Sequence, residues 1–417
     1  MERIARIGER TYALEATKGK CRMTRRTLYM VSGILTALLA VTVYSAVRVH
    51  EHLKHTTRED TESKVRDGIK VFRQEGHDVY ELRSGKSVMQ VVPSIGSNMI
   101  SMTQELRGKR IKVIEPPPSL RKLKEENACF YGNPVLFPFA CRMEDEFSFD
   151  GERYRTPSVM KAGGYPMHGL VGRLPWKVVD TGENVKGTWI QTSFDFDDPE
   201  LPAHWRDVYG GLKIALKFVL DNQGARVTVN MRNRGRDRRI MSFACHPIFP
   251  VHGRRSQARV FIDARTLVRL KNGLPEEVAQ PEGNTIMQGR AVGEDYLCPC
   301  YTDLARDGQG NASIVIEYPD PGLRLRVLLG SKYRHLVFWM PPADLHKALK
   351  ADEPIWGGNA VFAIEPHTSS INAPVLHSGA KGSELRRIAN PIILDSGEEF
   401  EEFFSFGMET MPLLSNP

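Results

Sequence analysis

The feature that most constrains the fold is a dense succession of short apolar runs, separated by turn residues, from Val71 onward. The clearest pair is Leu212–Leu220 and Arg226–Arg232, which flank the turn sequence Asp221–Gly224. In the second run, apolar and polar residues alternate, which is the period of a strand with one buried face. With no helical periodicity between the runs, this density predicts an all-β fold, organised as one large antiparallel β-sandwich and not as βαβ units.

One apolar stretch is different, because residues 28–47 contain no charged residue. A helix of this length spans about 30 Å, the thickness of the hydrocarbon core of a bilayer. Basic residues precede it, which favours a cytoplasmic N-terminus and an extracytoplasmic body. We therefore expect one N-terminal transmembrane helix that anchors the protein. A signal peptide cleaved after Ala46, which would release a secreted protein, is the alternative, and Met23 is a second candidate start.

The net charge of +7 does not favour nucleic acid as a partner. Residues 1–27 contain eight basic and three acidic side chains, so this tail carries five of the seven net positive charges. The remaining chain is close to neutral and offers no strong electrostatic footprint for a phosphate backbone. We divide the chain into a basic tail (1–27), an anchor or signal segment (28–47), a polar linker (48–70) and a β-sandwich domain (71–412).

The cysteines constrain the structure only weakly. Five of the six follow the anchor segment, an odd number for an oxidising compartment, and Cys129 with Cys141 is one candidate disulfide pair. None of them follows the paired Cys-x-x-Cys spacing of a zinc site. We expect no metal site and no cofactor.

A first group of candidate site residues lies near glycines and prolines, in the first half of the domain. His168 stands between Gly163-Gly164 and Gly169, so the backbone and not a helical face determines its position. Upstream, an apolar strand bounded by prolines has Asn133 and Arg142 at its ends. The arginine fork of N–H donors suits two adjacent sugar hydroxyls or a carboxylate.

A second group follows strands in the latter half of the chain. His246 comes directly after a strand and precedes Pro247, and a histidine at the mouth of a sheet can act as a general acid near neutral pH. Glu365 ends the apolar run Val361–Ile364. Burial should raise the pKa of this carboxyl group, which would suit a general base. Asp303 is a candidate acceptor for sugar hydroxyls.

Taken together, these segments resemble the aldose 1-epimerase (galactose mutarotase) family. The resemblance covers roughly residues 71–412, and five segments carry it in the family's order. They are Gly132-Asn-Pro-Val-Leu-Phe-Pro with Arg142, Phe149-Asp-Gly-Glu-Arg-Tyr154, His168-Gly169 with Trp176, His246-Pro-Ile-Phe249, and Ile364-Glu-Pro-His-Thr with Asn372-Ala373. The resemblance implies the galactose mutarotase-like antiparallel β-sandwich, which agrees with the strand density.

The resemblance also implies roles for individual residues. Glu365 corresponds to the general base that takes the proton of the anomeric hydroxyl, and His246 to the general acid that protonates the ring oxygen. His168 and Arg142 correspond to residues that hold the ring oxygen and nearby hydroxyls, and Asp303 to a hydroxyl-binding aspartate. Such a ring opening needs acid–base groups only, with neither metal nor nucleotide.

Three positions depart from the family pattern and bear on the substrate. Ala140-Cys141 precedes Arg142 where glycine or asparagine is more usual, Ile248 stands where an aromatic residue is usual, and Ser97-Asn98 stands where a second glycine is common. The leading hypothesis is an aldose 1-epimerase-like enzyme acting on a free aldose or on the reducing end of an oligosaccharide. The alternatives are a non-catalytic carbohydrate-binding protein of the same fold and a structural envelope protein that scaffolds partners.

Overall fold

The structure is a computed structural model that describes residues 68–126, 128–281, 289–291, 298–342, 345, 355–356 and 360–411. The predicted basic tail, the predicted transmembrane segment 28–47 and most of the predicted linker lie outside these residues. The first strand begins at Gly68, so residues 68–70 of the predicted linker belong to it. Within the described residues, no helix has the length and apolar character that crossing a membrane requires.

Three antiparallel sheets form the body, with strands numbered along the chain. The first is a five-stranded meander in the order β1-β2-β3-β4-β5. Its strands are β1 (Gly68–Gln74), β2 (His77–Ser84), β3 (Ser87–Val92), β4 (Asn98–Leu106) and β5 (Lys109–Ile114).

The largest sheet has nine strands. In spatial order they are β11 (Lys177–Asn184), β12 (Gly187–Asp195), β13 (Leu212–Leu220), β14 (Ala225–Asn233), β28 (Glu399–Thr410), β24 (Leu323–Leu329), β23 (Ala312–Tyr318), β18 (Arg259–Ile262) and β21 (Arg290–Ala291). The predicted hairpin is confirmed as β13 and β14, which pair from Leu212 opposite Asn233 to Leu220 opposite Ala225.

An eight-stranded sheet completes the body. Seven strands follow in the order β20 (Leu274–Ala279), β19 (Ala264–Lys271), β22 (Cys300–Leu304), β25 (His335–Trp339), β26 (Val361–His367), β16 (Ala244–Cys245) and β6 (Val135–Leu136). The eighth, β17 (Ile248–Pro250), also pairs with β26. Strand β26 therefore has neighbours on both sides, and all seven of its residues are buried.

The smaller elements lie outside these three sheets. Three two-stranded ribbons are β7 (Glu146–Phe149) with β8 (Glu152–Arg155), β9 (Lys161–Ala162) with β10 (Tyr165–Pro166), and β15 (Arg239–Met241) with β27 (Ile392–Leu394). In the parts of the chain that the structure describes, the helices with given bounds are α1 (Leu120–Glu125), α2 (Ala203–Tyr209), α3 (Ala373–His377) and α4 (Ser383–Ala389), with 3-10 turns at Ala128–Phe130 and Arg255–Gln257.

One apolar cluster joins the three sheets. It contains Leu82 and Met89 of the five-stranded sheet, Leu216 of the nine-stranded sheet, and Phe362 and Ile364 of the eight-stranded sheet. Burial of such side chains is the main stabilising contribution in a body of this kind. The sequence-based prediction of an all-β, mainly antiparallel sandwich is confirmed. The sequence did not predict the four short helices, since each is only five to seven residues long.

Candidate functional site

The candidate site lies on the face of the eight-stranded sheet that is turned away from the main core. Phe362 and Ile364 of β26 pack into the main core, so the alternating residues Glu365 and His367 lie on the opposite face. Register places Val337 opposite Glu365, and His335 opposite His367, in the neighbouring strand β25. Directly opposed residues share a face, so the polar residues of two strands meet there.

Glu365 is at the centre of this site and is only 2% exposed. Its Oε1 lies 3.3 Å from Nε2 of His246, and its Oε2 lies 3.1 Å from Nε2 of His367. The thiol of Cys141 donates a longer contact of 3.7 Å to Oε2. A buried carboxylate is therefore held by two imidazoles and one thiol, which offsets the cost of removing the charge from water.

The histidine pair predicted from the sequence is brought together. The rings of His168 and His246 meet edge to face, with centroids 5.6 Å apart. Both rings are buried, and Nδ1 of each has no hydrogen-bond partner among the described residues. A buried polar atom without a partner is costly unless something binds to it. The two Nδ1 atoms are therefore candidate contacts for a bound molecule.

The backbone around His168 is fixed by hydrogen bonds to the segment that follows β6. The His168 N–H donates to the Cys141 carbonyl at 3.0 Å, and the Leu170 N–H donates to the Phe137 carbonyl at 2.8 Å. His168 has φ of 60° and Gly169 has φ of 72°, both in the left-handed region. The backbone of the glycine-rich stretch thus positions the imidazole, as the sequence predicted, and His168 itself has a left-handed conformation.

The pKa of Glu365 departs from the sequence-based expectation. Burial alone would raise it, but the charges of His246 and His367 and the hydrogen bond from His367 bring the pKa down to about 2. The expectation of a raised pKa was wrong because it considered burial without the two histidines. Glu365 is consequently ionised throughout the neutral pH range.

Two other buried histidines are held neutral. Burial, followed by the charge of His246, lowers the pKa of His168 to about 3. Burial, followed by the charge of His367, lowers the pKa of His335 to about 3 as well. At neutral pH these rings can donate or accept hydrogen bonds but carry no charge.

The remaining candidate residues occupy different positions. Arg142 lies near His168, whose pKa its charge helps to lower, and Nε of Arg142 donates to the Ala162 carbonyl at 3.1 Å. Asn133 is fully buried, and its side-chain amide has no hydrogen-bond partner among the described residues. The His246 N–H donates to the Pro134 carbonyl, so Asn133 adjoins the segment that carries His246.

Asp303 lies apart from this group. Its carboxylate accepts a hydrogen bond from Thr266 at 2.6 Å and lies 3.7 Å from Nη1 of Arg387. It lines a separate cavity of 610 Å³, to which neither Glu365 nor the site histidines contribute. The cavity's other lining residues are Arg265, Thr302, Leu304, Ala305, Arg306, Arg334, Arg387, Ile388 and Asn390. Contact of Asp303 with a substrate stays a prediction.

Cys141 is a free thiol, so the candidate disulfide with Cys129 is not formed. Burial, followed by the neighbouring Glu365 carboxylate, raises the thiol pKa of Cys141 well above its usual value. The residue has φ of 51°, a conformation that side chains other than glycine, asparagine and aspartate adopt uncommonly. The neutral thiol is therefore a donor to Glu365.

Sequence reasoning missed two residues of the site. His367 follows Glu365 by two positions, and the period of a strand places both on one face, which was the available signal. Trp339 lies at the end of β25, with its ring 5.4 Å from that of His246. It packs with Phe130 and Trp356, forming an aromatic cluster beside the histidines. Trp339 lies in a mainly apolar strand, and nothing in that sequence indicated that one face of the strand borders the site.

Gly169→Ala should destabilise the protein by about 3 kcal/mol, since a Cβ there would lie 2.2 Å from the Phe137 carbonyl oxygen. Gly164→Ala is the matched control, because φ is also positive but no atom lies within 4 Å of the added Cβ. The control should lose only about 1 kcal/mol. Urea unfolding of both variants measures the difference, and equal losses would contradict the close approach.

His335→Gln should flatten the pH dependence of stability. The unfolded state takes up a proton near the ordinary pKa of 6.5, whereas folded His335 does so only near 3. Acidification through that window therefore removes about 1.4 kcal/mol of stability per pH unit for this residue. Urea unfolding at several pH values from 7 to 4 checks the slope, with exposed His204→Gln as the control. Equal slopes for wild type and His335→Gln would refute the assignment.

The antiparallel sandwich and the buried carboxylate–histidine cluster define a protein of the galactose mutarotase-like fold. A galactose mutarotase-like protein from Clostridium acetobutylicum matches with a TM-score of 0.70 and 21% identity, over 82% of this chain and 98% of its own. Galactose 1-epimerase from Lactobacillus acidophilus matches with a TM-score of 0.61 and 15% identity, over 83% of this chain and 99% of its own. An aldose epimerase homologue from C. elegans matches with a TM-score of 0.60 and 13% identity, over 82% of this chain and 100% of its own.

The family model for aldose 1-epimerase matches residues 78–384. The chain belongs to the aldose 1-epimerase family. The solved structures are too distant in sequence to carry more than the fold, so the activity is argued from the site.

Proposed function

We propose that the protein interconverts the α and β anomers of an aldose by acid–base ring opening. The observation that carries this proposal is the contact between a buried carboxylate and a buried imidazole, Glu365 Oε1 and His246 Nε2, at 3.3 Å. The family match supports the reaction class. The two oxygens that must exchange protons in a hemiacetal are bonded to the same carbon, so an adjacent acid and base can reach both.

In the proposed reaction, Glu365 takes the proton of the anomeric hydroxyl while His246 protonates the ring oxygen. The bond between C1 and the ring oxygen breaks, and an open-chain aldehyde results. Rotation about the bond between C1 and C2 presents the other face of the carbonyl. Closure then returns both protons, and the opposite anomer leaves with the enzyme unchanged.

The low pKa of Glu365 is compatible with its role as a base if the two proton transfers are coupled. The positive charge of His246 is the first of the interactions that lower this pKa. As His246 gives its proton to the ring oxygen, that charge disappears. Loss of that charge lets the pKa of Glu365 rise, so Glu365 becomes more basic as it is required to accept a proton.

Neighbouring groups would hold the sugar in place. His168 stays neutral at neutral pH and offers a polar ring atom without an internal partner. Arg142 and Asn133 supply further donors, and the ring of Trp339 supplies an aromatic surface beside His246. Aromatic walls with a few placed polar groups are typical of small-molecule sites.

A screen of anomer exchange tests the proposal. Purified protein is added to hexoses, pentoses and sugar phosphates at equilibrium, and NMR exchange spectroscopy measures the α/β exchange rate. The proposal expects acceleration for at least one sugar, which Glu365→Gln removes. Exchange at the buffer rate for a sugar that the wild type binds would contradict it and favour a carbohydrate-binding protein.

We propose in addition that residues 28–47 anchor the protein in a membrane, with the domain on the extracytoplasmic side. The uncharged stretch and the basic residues before it support this. Full-length protein should remain with membranes after an alkaline wash, whereas a chain starting at Gly68 should not. If expression of the full-length sequence instead released a soluble protein whose mass lacks residues 1–46, the segment would be a cleaved signal peptide and the protein would be secreted.

A further inference from the structure

Three ligand-type side chains meet at the candidate site in a way that anomer exchange does not require. The thiol of Cys141, a carboxylate oxygen of Glu365 and an imidazole nitrogen of His367 all lie within 4.8 Å of one another. We propose that these three residues form a binding site for a thiophilic divalent cation, with Zn²⁺ as the ion that suits it best.

Two of the three ligand–ligand distances match a small tetrahedral ion. Typical bonds from zinc to sulfur are about 2.3 Å, and those to nitrogen and oxygen are about 2.0–2.2 Å. Tetrahedral angles then separate neighbouring ligand atoms by roughly 3.3–3.7 Å. The contacts found are 3.1 Å from Glu365 Oε2 to His367 Nε2 and 3.7 Å from Glu365 Oε2 to Cys141 Sγ. Small side-chain rotations would therefore be enough to admit the ion.

The donor set selects the metal. One sulfur, one imidazole nitrogen and one carboxylate oxygen suit zinc and similar ions, whereas magnesium and calcium prefer oxygen ligands alone. Three protein ligands leave a fourth position for solvent. The thiol proton would leave to solvent when the thiolate binds the metal.

The position of Cys141 supplies a separate argument. Its backbone is in the left-handed region, yet the residue carries a thiol that reaches a buried carboxylate. Glycine or asparagine would adopt this backbone more readily. The thiol donates to Glu365, but the proposed proton transfers do not pass through the sulfur. With Glu365 and His367 it completes a metal-binding triad.

Occupancy of this site has a consequence for the proposed reaction. Oε2 of Glu365 would be coordinated, and the carboxylate could no longer act freely as a base. The cation and the sugar would therefore compete for one side chain. Metal binding itself is independent of anomer exchange, so it can be tested whether or not the protein proves to be an epimerase.

The test is a titration of untagged, chelator-treated full-length protein with Co²⁺, followed by displacement with Zn²⁺. Wild type should bind one equivalent at this site and show a sulfur-to-cobalt charge-transfer band that Zn²⁺ removes. Cys141→Ser should lose the band. His367→Gln should keep the band but bind at least about tenfold more weakly. Circular dichroism confirms that both variants are folded.

Cys298→Ser is the matched control, because Cys298 packs in the same apolar cluster as Cys141. It should keep both the band and the affinity. Absence of Co²⁺ and Zn²⁺ binding by wild type would overturn the proposal. A band that survives in Cys141→Ser and disappears in Cys298→Ser would overturn it equally, since the sulfur ligand would then be a different one.

Discussion

Glu365→Gln is expected to slow catalysed anomer exchange by about 10²–10⁴-fold, the range that a positioned general acid or base contributes. The amide keeps the shape of the side chain and can still contact His246 and His367, but it cannot accept the anomeric proton. NMR exchange spectroscopy at saturating sugar measures the effect. Sugar affinity should change far less than the rate, because binding does not require that proton transfer.

Glu200→Gln is the control for this substitution, since Glu200 is an exposed glutamate. It should exchange anomers at the wild-type rate. If both Glu365→Gln and Glu200→Gln retained most of the wild-type exchange rate, a group other than Glu365 would have to be the base. Loss of sugar binding together with the rate would indicate a structural role for Glu365.

His246→Gln should also slow exchange by about 10²–10⁴-fold, since it removes the proposed proton donor to the ring oxygen. It should have a second effect that a purely structural residue would not produce. The charge of His246 is the first of the interactions that lower the pKa of Glu365, so this pKa should rise in the variant. The carboxyl infrared band, followed against pH, measures the shift.

The exposed His204 provides the matched control, His204→Gln, which should alter neither the rate nor the carboxyl band. A double variant of Glu365 and His246 should be barely slower than either single variant, because the two residues act as one unit. An unchanged Glu365 pKa in His246→Gln would contradict the electrostatic coupling. Additive losses in the double variant would contradict the shared proton transfer.

The fold was predictable where strands have one buried and one exposed face. In β13, buried and half-buried residues alternate along the whole strand, so the sequence carries the period directly. Strand β26 is buried along its entire length and has no such alternation. Its length and position were predictable, but the face on which Glu365 lies was not.

The sequence predicted which residues belong to the site better than it predicted their pKa values. Glycines, prolines and the resemblance to a family identified Glu365, His246 and His168, which the structure brings together. The sign of the Glu365 pKa shift depends on rings delivered from other parts of the fold, which no local pattern reveals. Asp303 lines a cavity to which the group does not contribute, and which residues surround it is again a property of the tertiary structure.

The central claim is that the carboxylate–imidazole pair converts one anomer into the other. The most direct measurement is the α/β exchange rate of one bound aldose, recorded by NMR exchange spectroscopy as wild-type protein is added in steps. The account predicts a rate that rises in proportion to protein concentration and that falls to the buffer rate with Glu365→Gln. Binding of the sugar at an unchanged buffer rate would contradict it.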